Sequence, residues 1–399
     1  MSEAPWLTII GCGEDGPDGL SAATRETLAR AEIVMAPPRH LDRVPPGPAR
    51  RIAWPVPFAD GIPVLLGLRG QRVVVLASGD PFWFGAGTVL ARHLTPDEWT
   101  AIPGPSTFSL AAARLGWPLE RTLTLGLHAA PLDRLRPHLA PGRRAILLLR
   151  DGAAVAELAA WLTERGFGDS SLHVLEALGG PRARHRRCVA AQMNIDDIAH
   201  PVCVGLDMAG TGAALPLASG RPDDLFENDG QITKRPMRAL TLSALAPRHG
   251  QHLWDIGGGS GSIAIEWLLS DPSLTATVFE PRADRAQRIG RNAAALGQDR
   301  LQVVNGAAPQ ALAEHELPDT VFVGGGLSAA MLDWLTAHLR PGTRLVANAV
   351  TLESEALLAT AHARHGGDLM RIELAQSAPL GNRRGWKSAY PVVQWSIVL

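Results

Sequence analysis

The sequence predicts an α/β protein of two domains in series, the second a doubly wound parallel sheet. Three observations predict it. The chain has 399 residues, long for one core when domains usually hold roughly 100–150. Beyond residue 250, apolar strand patterns alternate with helical ones at nearly even spacing, as βα repeats do. A glycine-rich loop follows an apolar strand in each half, "LTIIGCGEDGPDGL" from Leu7 to Leu20 and "HLWDIGGGSGSIAIEW" from His252 to Trp267.

From the amino terminus, strands are expected at "LTIIG", "EIVMAP" and "RVVVLASGD" with helices between them, and "TAIPGPSTFSLAAARLGW" reads as strand, turn and helix. After Arg121 come "RTLTLGLH", "RRAILLLR", the helix "DGAAVAELAAWLTERG", then "SSLHVLEALGG", "RRCVAAQ" and "PVCVGL". This second lobe is expected to be richer in strand than the first. Between Gly205 and Pro236 the periodicity lapses into Gly, Ala, Pro and acidic residues, which places the junction near residue 215 and the domains at 1–212 and 213–399. Strands follow at His252–Ile256, Thr275–Phe279, Leu301–Val304, Thr320–Val323 and Arg344–Ala349, separated by helical stretches such as "RADRAQRIGRNAAALG" and "SAAMLDWLTAHLRPG". Past Leu369, "LMRIELAQSA" leads to "YPVVQWSIVL" with no helix between, predicting a terminal antiparallel hairpin.

A hydrophobic share of 46% is enough to fill two cores. Apolar residues never run unbroken for the roughly 18–20 positions of a membrane helix, and "MSEAPWLTIIG" lacks the basic flank and cleavage site of a signal peptide. A soluble, cytoplasmic protein with no membrane partner is expected. The net charge of −1 offers nothing global to nucleic acid. Cys12, Cys188 and Cys203 are odd in number and far apart, fitting neither a disulfide framework nor a metal set. They are read as packing residues, and no metal is expected. Nearly all basic residues are Arg, whose fork suits carboxylates.

In the carboxy-terminal loop a strand ends at Asp255, glycines stand at 257, 258, 259 and 261, and a helix begins near Ser260. Such a loop lets a ligand approach bare backbone at a helix start. The next strand ends at Glu280, where a carboxylate can accept both hydroxyls of a ribose. A dinucleotide or S-adenosylmethionine would fit this description. The NAD fingerprint started at Gly257 needs Gly or Ala at 262, where Ser262 stands; the spacing D-x-G-x-G-x-G is the methyltransferase form. Enzymes that methylate exocyclic base nitrogens carry N/D-P-P-Y/F after the fourth strand, and here the chain reads "DTVFVGGGL".

The amino-terminal loop alone is a common turn. Its value rises with "LASGDPFWFGAG" and "IPGPSTFSLAAARLG", which also begin at strand ends and so could face one cleft. No nucleophile elbow G-x-S-x-G surrounds Ser78. These three loops, in this order, resemble the two-lobed tetrapyrrole methylases, and "VLEALGGPRARHRR" resembles the segment by which the corrin branch crosses its second lobe. "ITKRPMRALTLSALAP", "NGAAPQAL" and "PLGNRRGWKSAYPVVQW" make the carboxy half similar to the decarboxylating precorrin methyltransferases, a class I methyltransferase fold. Fused, the two resemble bifunctional enzymes of cobalamin biosynthesis.

That resemblance implies two S-adenosylmethionine sites per chain and methylation of a precorrin at C5 and C15 with loss of the ring C acetate carboxyl (precorrin-6B to precorrin-8X). It implies cofactor contacts at Ser78, Gly79, Asp80, Trp83, Ser106 and Thr107 in the first domain. In the second it implies Thr233, Gly257, Gly258, Gly259, Ser260, Gly261, Glu280 and Gly306. The substrate is a small-molecule tetrapyrrole rich in carboxylates, and the candidate receivers are Arg182, Arg184, Arg186 and Arg187, Lys234, Arg235 and Arg238, and Arg383, Arg384 and Lys387. No catalytic acid or base is assigned; a homo-oligomer is expected. Two features depart from the families. Glu14 and Asp15 stand where many tetrapyrrole methylases have Pro and Gly, and Ala307 replaces an acid. An RNA or protein methyltransferase would want a basic face and the aromatic motif. A binding module with one degenerate site would find slight support in Glu14, Asp15 and Ala307.

Overall fold

A computed structural model describes residues 5–45 and 47–399. The chain divides into two compact units, one of residues up to Leu132 with Leu139–Ala213, the other of Asp133–His138 with Ala214–Leu399.

The first unit opens with β1 (Leu7–Cys12), α1 (Ala22–Ala29), β2 (Ile33–Ala36), α2 (Pro38–Leu41), β3 (Arg50–Ala53), α3 (Gly61–Leu66), β4 (Val73–Ser78), α4 (Ala86–Leu90), β5 (Trp99–Ile102) and α5 (Thr107–Leu115). The strands form one sheet in the order β3-β2-β4-β1-β5, parallel throughout. Its strands read as unbroken apolar runs because both faces are covered. Leu7, Ile9, Val73 and Val75 pack on one side, while Ile10, Cys12, Val74 and Leu76 pack on the other. Period-two alternation thus feeds two cores.

The second lobe comprises β6 (Leu123–Gly126), β7 (Arg144–Leu148), α6 (Ala153–Glu164), β8 (Ser171–Glu176), β9 (Arg184–Val189) and β10 (Val202–Asp207). Its sheet runs β6-β7-β10-β8-β9, antiparallel except for the β6–β7 pair. The second lobe is the richer in strand by proportion, as expected, since its five strands share it with a single α-helix. Both lobes have five strands; the second differs in strand direction and in having one α-helix. The sequence hid β3, an edge strand whose Arg50 and Arg51 face solvent.

The second unit follows as α7 (Arg235–Leu245), β11 (His252–Ile256), α8 (Ser262–Leu268), β12 (Thr275–Phe279), α9 (Ala283–Ala295), β13 (Gln302–Val304), β14 (Thr320–Val323), α10 (Ala329–His338), β15 (Arg344–Ala349), α11 (Leu352–His365), β16 (Asp368–Ile372), β17 (Ala375–Leu380), β18 (Arg383–Ser388) and β19 (Val392–Val398). The sheet order is β13-β12-β11-β14-β15-β19-β16, its first five strands parallel and β19 antiparallel to both neighbours. Chain order reverses between β11 and β14, so the loops after these strands flank the topological switch point. Trp254, Val321 and Leu345 pack with α10 and α11, and Leu253, Phe322 and Val346 pack with α7 and α8. Ala286, Ile289 and Ala293 give α9 the helical spacing of one buried face.

The expected terminal hairpin is two nested pairs. β16 joins β19, and β17 and β18 form a separate ribbon turned at Gly381–Asn382, with Leu380 opposite Arg383. Among the described residues no helix is long and apolar enough to cross a membrane.

Candidate functional site

In the second unit a cavity of about 1500 Å³ opens over the switch point. Gly257, Gly258 and Gly259 form its floor after β11, with Glu280 after β12 and Gly324 to Gly326 after β14. Thr233, Lys234 and Arg235, which lead into α7, also line it. So the sequence-predicted Thr233, Gly257 to Gly259, Glu280, Lys234 and Arg235 are brought together. Ser260, Gly261 and Gly306 are not part of the lining. Gly261 caps α8, Ser260 is buried with no partner for Oγ among the described residues, and Gly306 lies behind Ala307 and Ala308, which form the wall.

Gly259 has φ +58, a left-handed conformation that side chains resist, and an added Cβ would meet only the Gln231 carbonyl oxygen at 3.2 Å. Its amide donates to Glu280 Oε2 at 2.9 Å, and the Arg282 amide donates to Oε1 at 3.1 Å. Glu280 is 2% exposed. Asp255 is also buried: the Ala264 amide donates to Oδ2 at 3.2 Å, while Oδ1 has no partner among the described residues. Burial, opposed by that amide and reinforced by the charge of Glu280, pushes its pKa up to about 7. Asp255 Oδ1 is thus a buried acceptor beside the glycine backbone with its hydrogen-bonding capacity unused among the described residues.

Behind the floor, Arg238 is wholly buried. Its Nε donates to Glu266 Oε1 at 2.7 Å, its Nη2 to the Arg221 carbonyl at 2.5 Å and Asp223 Oδ1 at 2.9 Å, and its Nη1 to the Thr233 carbonyl. The amides of Gly220 and Arg221 donate to the same Glu266 carboxylate at 2.7 and 2.9 Å. This network fixes the approach to Lys234. Arg238 is therefore not a substrate receiver, because its guanidinium is consumed internally. Arg384, on β18, does not line the cavity either; Lys387 and Tyr390 do.

Sequence reasoning missed Tyr390, yet a signal existed. Among 38 basic residues only Lys234 and Lys387 are lysines, and Tyr390 is the one tyrosine in the chain. All three line this cavity. Both lysines of this arginine-biased chain thus stand at one cavity, offering compact point charges in place of planar forks.

In the first unit, the three glycine loops follow adjacent strands β4, β1 and β5. A Cβ on Gly11 would fall 1.8 Å from the Gly79 carbonyl oxygen and 2.4 Å from the Gly104 nitrogen, so only glycine allows this convergence. Gly79 in turn packs on Pro105, Ser106 and Thr107. Ser106 caps α5, accepting from the Ser109 amide at 3.1 Å, and Thr107 begins the helix. Asp80 Oδ1 accepts from the Phe82 amide at 2.8 Å, and the Trp83 ring lies 5.3 Å from Phe108. Ser78, Gly79, Asp80, Trp83, Ser106 and Thr107 thus share one end of the sheet. Arg39 and His40, which sequence reasoning passed over, hold Ser78: Arg39 Nη2 donates to its Oγ at 2.5 Å, and His40 Nε2 lies 2.9 Å from the same atom.

The arginine run after β8 requires a correction. Arg186 donates to Glu176 Oε1 at 2.9 and 3.1 Å and to the carbonyls of Asp196 and Asp197 at 2.9 and 3.0 Å. Arg184 shares the same carboxylate, whose side chain is 1% exposed. Arg186 therefore neutralises a buried acid and has no fork to offer a substrate.

A glycine loop at the switch point of a parallel sheet, with an acid closing the next strand, joined to a unit whose glycine loops meet at one end of its sheet, is the arrangement of a methyltransferase built from two unrelated folds. Residues 6–194 match the family described as Tetrapyrrole (Corrin/Porphyrin) Methylases, and residues 224–399 match the Precorrin methyltransferase domain. The chain is 50% identical over 400 aligned residues to the precorrin-6Y C(5,15)-methyltransferase [decarboxylating] of a Sinorhizobium species, covering 98% of this chain and 96% of that one. It is 34% identical over 178 residues to the cobalt-precorrin-6B C(15)-methyltransferase (decarboxylating) of Salmonella typhimurium, 43% of this chain and 91% of the relative. A solved C-terminal domain of precorrin-6Y C5,15-methyltransferase from Rhodobacter capsulatus shares 56% identity over 45% of this chain and 98% of its own, with TM-score 0.44. The chain belongs to the precorrin-6Y C(5,15)-methyltransferase (decarboxylating) family. Methyltransferases of this kind use S-adenosylmethionine.

Proposed function

We propose that the chain methylates a precorrin macrocycle at C5 and C15 and removes the carboxyl group of its ring C acetate, using two S-adenosylmethionine sites, one per domain. The observation that carries this reading is the pair of glycine-loop clusters, each at the end of its own parallel sheet. The C15 methylation and the decarboxylation are assigned to the carboxy-terminal domain. In support, the Salmonella typhimurium relative named for both is matched over 43% of this chain, a length one domain supplies.

S-adenosylmethionine, when bound, supplies a sulfonium-borne methyl electrophile. In the carboxy-terminal domain Gly257 to Gly259 would admit it against backbone, Glu280 would receive its ribose, and Asp255 Oδ1 would accept a hydrogen bond from it. The uncovered backbone at Gly259 and the lone Asp255 oxygen support this fit. Thr233 would add its side chain to the same cavity wall. In the amino-terminal domain the corresponding cradle is Ser78 to Asp80, Trp83, Ser106 and Thr107. A meso carbon with enamine character attacks the methyl in line as the methyl–sulfur bond breaks, the electron pair leaving on the neutral thioether, and the macrocycle then sheds a proton; placement in line and exclusion of water are the protein's main contributions. In decarboxylation the bond from the acetate methylene to its carboxyl breaks. Carbon dioxide leaves, the electron pair enters the conjugated ring, and a proton completes the new methyl group. Lys234, with Asp223 Oδ2 4.0 Å away, and Lys387 receive carboxylates at the cavity wall, with Arg235 beside them.

A homo-oligomer remains the expected assembly, supported by Leu380 and Trp386 on the β17–β18 ribbon, which stand 69% and 80% exposed. The net charge of −1 supports a partner set without nucleic acid. The test is the product made by the full chain from metal-free macrocycle and donor. Mass spectrometry is expected to show two methyl groups gained and one carbon dioxide lost; a product without both changes would refute the reading.

A further inference from the structure

The amino-terminal domain holds a second cavity, of about 440 Å³, that borders the glycine loop after β1 but takes in none of the predicted cofactor contacts. Its walls include Glu14 from the loop after β1, Arg39 from α2, Arg43 just past that helix, and Pro181 with Arg182 from the turn after β8.

Glu14 is one of the two residues that depart from the tetrapyrrole methylase loop pattern, and here it has a use. Arg43 donates to both of its oxygens at 2.6 and 2.5 Å, and Arg182 donates to Oε2 at 3.4 Å. Its side chain is 9% exposed. The acid is therefore consumed in holding two guanidinium groups at the cavity.

Arg39 is different. One arm, Nη2, is spent on Ser78, but Nη1 is buried without a hydrogen-bond partner among the described residues. A buried guanidinium N–H left bare is costly, so its natural complement is an acceptor from a ligand. Three arginines against Glu14 and Asp42 leave the lining one positive charge in excess, and Ala177 and Pro181 keep part of the wall apolar. Under those conditions a charge-assisted hydrogen bond is at its strongest.

We propose that this cavity is a carboxylate subsite, in which Arg39 receives one acidic side chain of the macrocycle while its other arm holds Ser78 on the loop after β4. The proposal rests on the reading of the substrate as a polycarboxylate macrocycle. Its consequence is regiochemical. A tetrapyrrole presents several similar meso carbons, and fixing one peripheral carboxylate relative to Ser78 selects which of them meets the methyl donor. Arg43 and Arg182, held by Glu14, set the rim against which that carboxylate slides.

The experiment uses the full chain with Arg39→Met and Arg39→Lys. For the C5 methylation read by product mass, Arg39→Met is expected to raise KM for the macrocycle at least tenfold and to leave kcat within threefold. Arg39→Lys recovers part of the loss because charge survives without the fork. Direct binding supplies the control for folding. S-adenosylmethionine titration of both variants is expected to keep two equivalents per chain, and any weakening at the amino-terminal site, through the lost Arg39–Ser78 contact, to be smaller than the rise in macrocycle KM. In C5 methylation the wild type is expected to prefer the free-acid macrocycle over its methyl ester at least tenfold in kcat/KM, and Arg39→Met to lose most of that preference. Unchanged KM in Arg39→Met, or loss of donor affinity equal to the loss of macrocycle affinity, overturns the proposal. A wild-type protein that never methylates C5 would instead overturn the functional reading beneath it, so the two failures are distinguishable.

Discussion

Full-length protein carrying Gly259→Val is expected to add one methyl group to the macrocycle and to release no carbon dioxide. Gly259 has φ +58 and its amide is engaged by Glu280. A β-branched residue in left-handed backbone costs about 1–2 kcal/mol or more, and the isopropyl group would press on the Gln231 carbonyl, already 3.2 Å from an ideal Cβ. Neither effect is large enough to unfold a domain of this size. Both act where the donor must approach backbone, so donor affinity in that domain should fall at least a hundredfold, about 2.7 kcal/mol. The neighbouring glycine would be a poorer probe: a Cβ on Gly258 would strike Val278 Cγ1 at 2.1 Å, confounding binding with packing. Mass spectrometry of the product reads the outcome. C15 methylation and decarboxylation should vanish together while C5 methylation persists; equal loss at C5 and C15 would contradict separate sites.

The second large effect is on stability. Glu266→Ala removes the acceptor for Arg238, whose side chain is 0% exposed, and for the amides of Gly220 and Arg221. Breaking a buried pair on one side leaves an uncompensated charge and costs roughly 3–5 kcal/mol. Denaturant unfolding of the full chain, followed by hydrogen exchange within α7 and α8, is expected to show a loss of that size. The double variant Arg238→Met with Glu266→Leu removes that pair but still leaves buried Arg221 and the Gly220 and Arg221 amides without their acceptor, so it should regain only part of the loss. A Glu266→Ala loss under about 1 kcal/mol would show that water reaches Arg238 and that the network does not fix the Thr233–Arg235 segment.

Most of the framework was legible because parallel strands buried on both faces leave apolar runs, as "RVVVLAS" does at β4. β3 was not, since "RRIA" is an exposed edge strand that pairs on one side only. The β17–β18 ribbon lacks apolar alternation, although its Gly381–Asn382 turn is a recognised hairpin signal that was overlooked. The glycines of both loops could be read because glycine is demanded locally, by φ at 259 and by close approach at 11. The arginines could not be sorted that way. Arg184 and Arg186 resemble a solvated charge run until the register of β8 and β9 sets Glu176 opposite Arg184. Arg39 acquires meaning only when β2 lies beside β4, with Met35 opposite Val75, which brings it to Ser78. Arg238 and Glu266 are 28 residues apart and meet only when α7 packs on α8. Pairings set by tertiary register leave no local trace.

The claim on which the rest depends is that each domain has its own methyl-donor site. Calorimetric titration of the full chain with S-adenosylmethionine in the absence of macrocycle tests it most directly. Two equivalents per chain are predicted, falling to one in Gly259→Val; a single equivalent in the wild type, unchanged by that substitution, would contradict it.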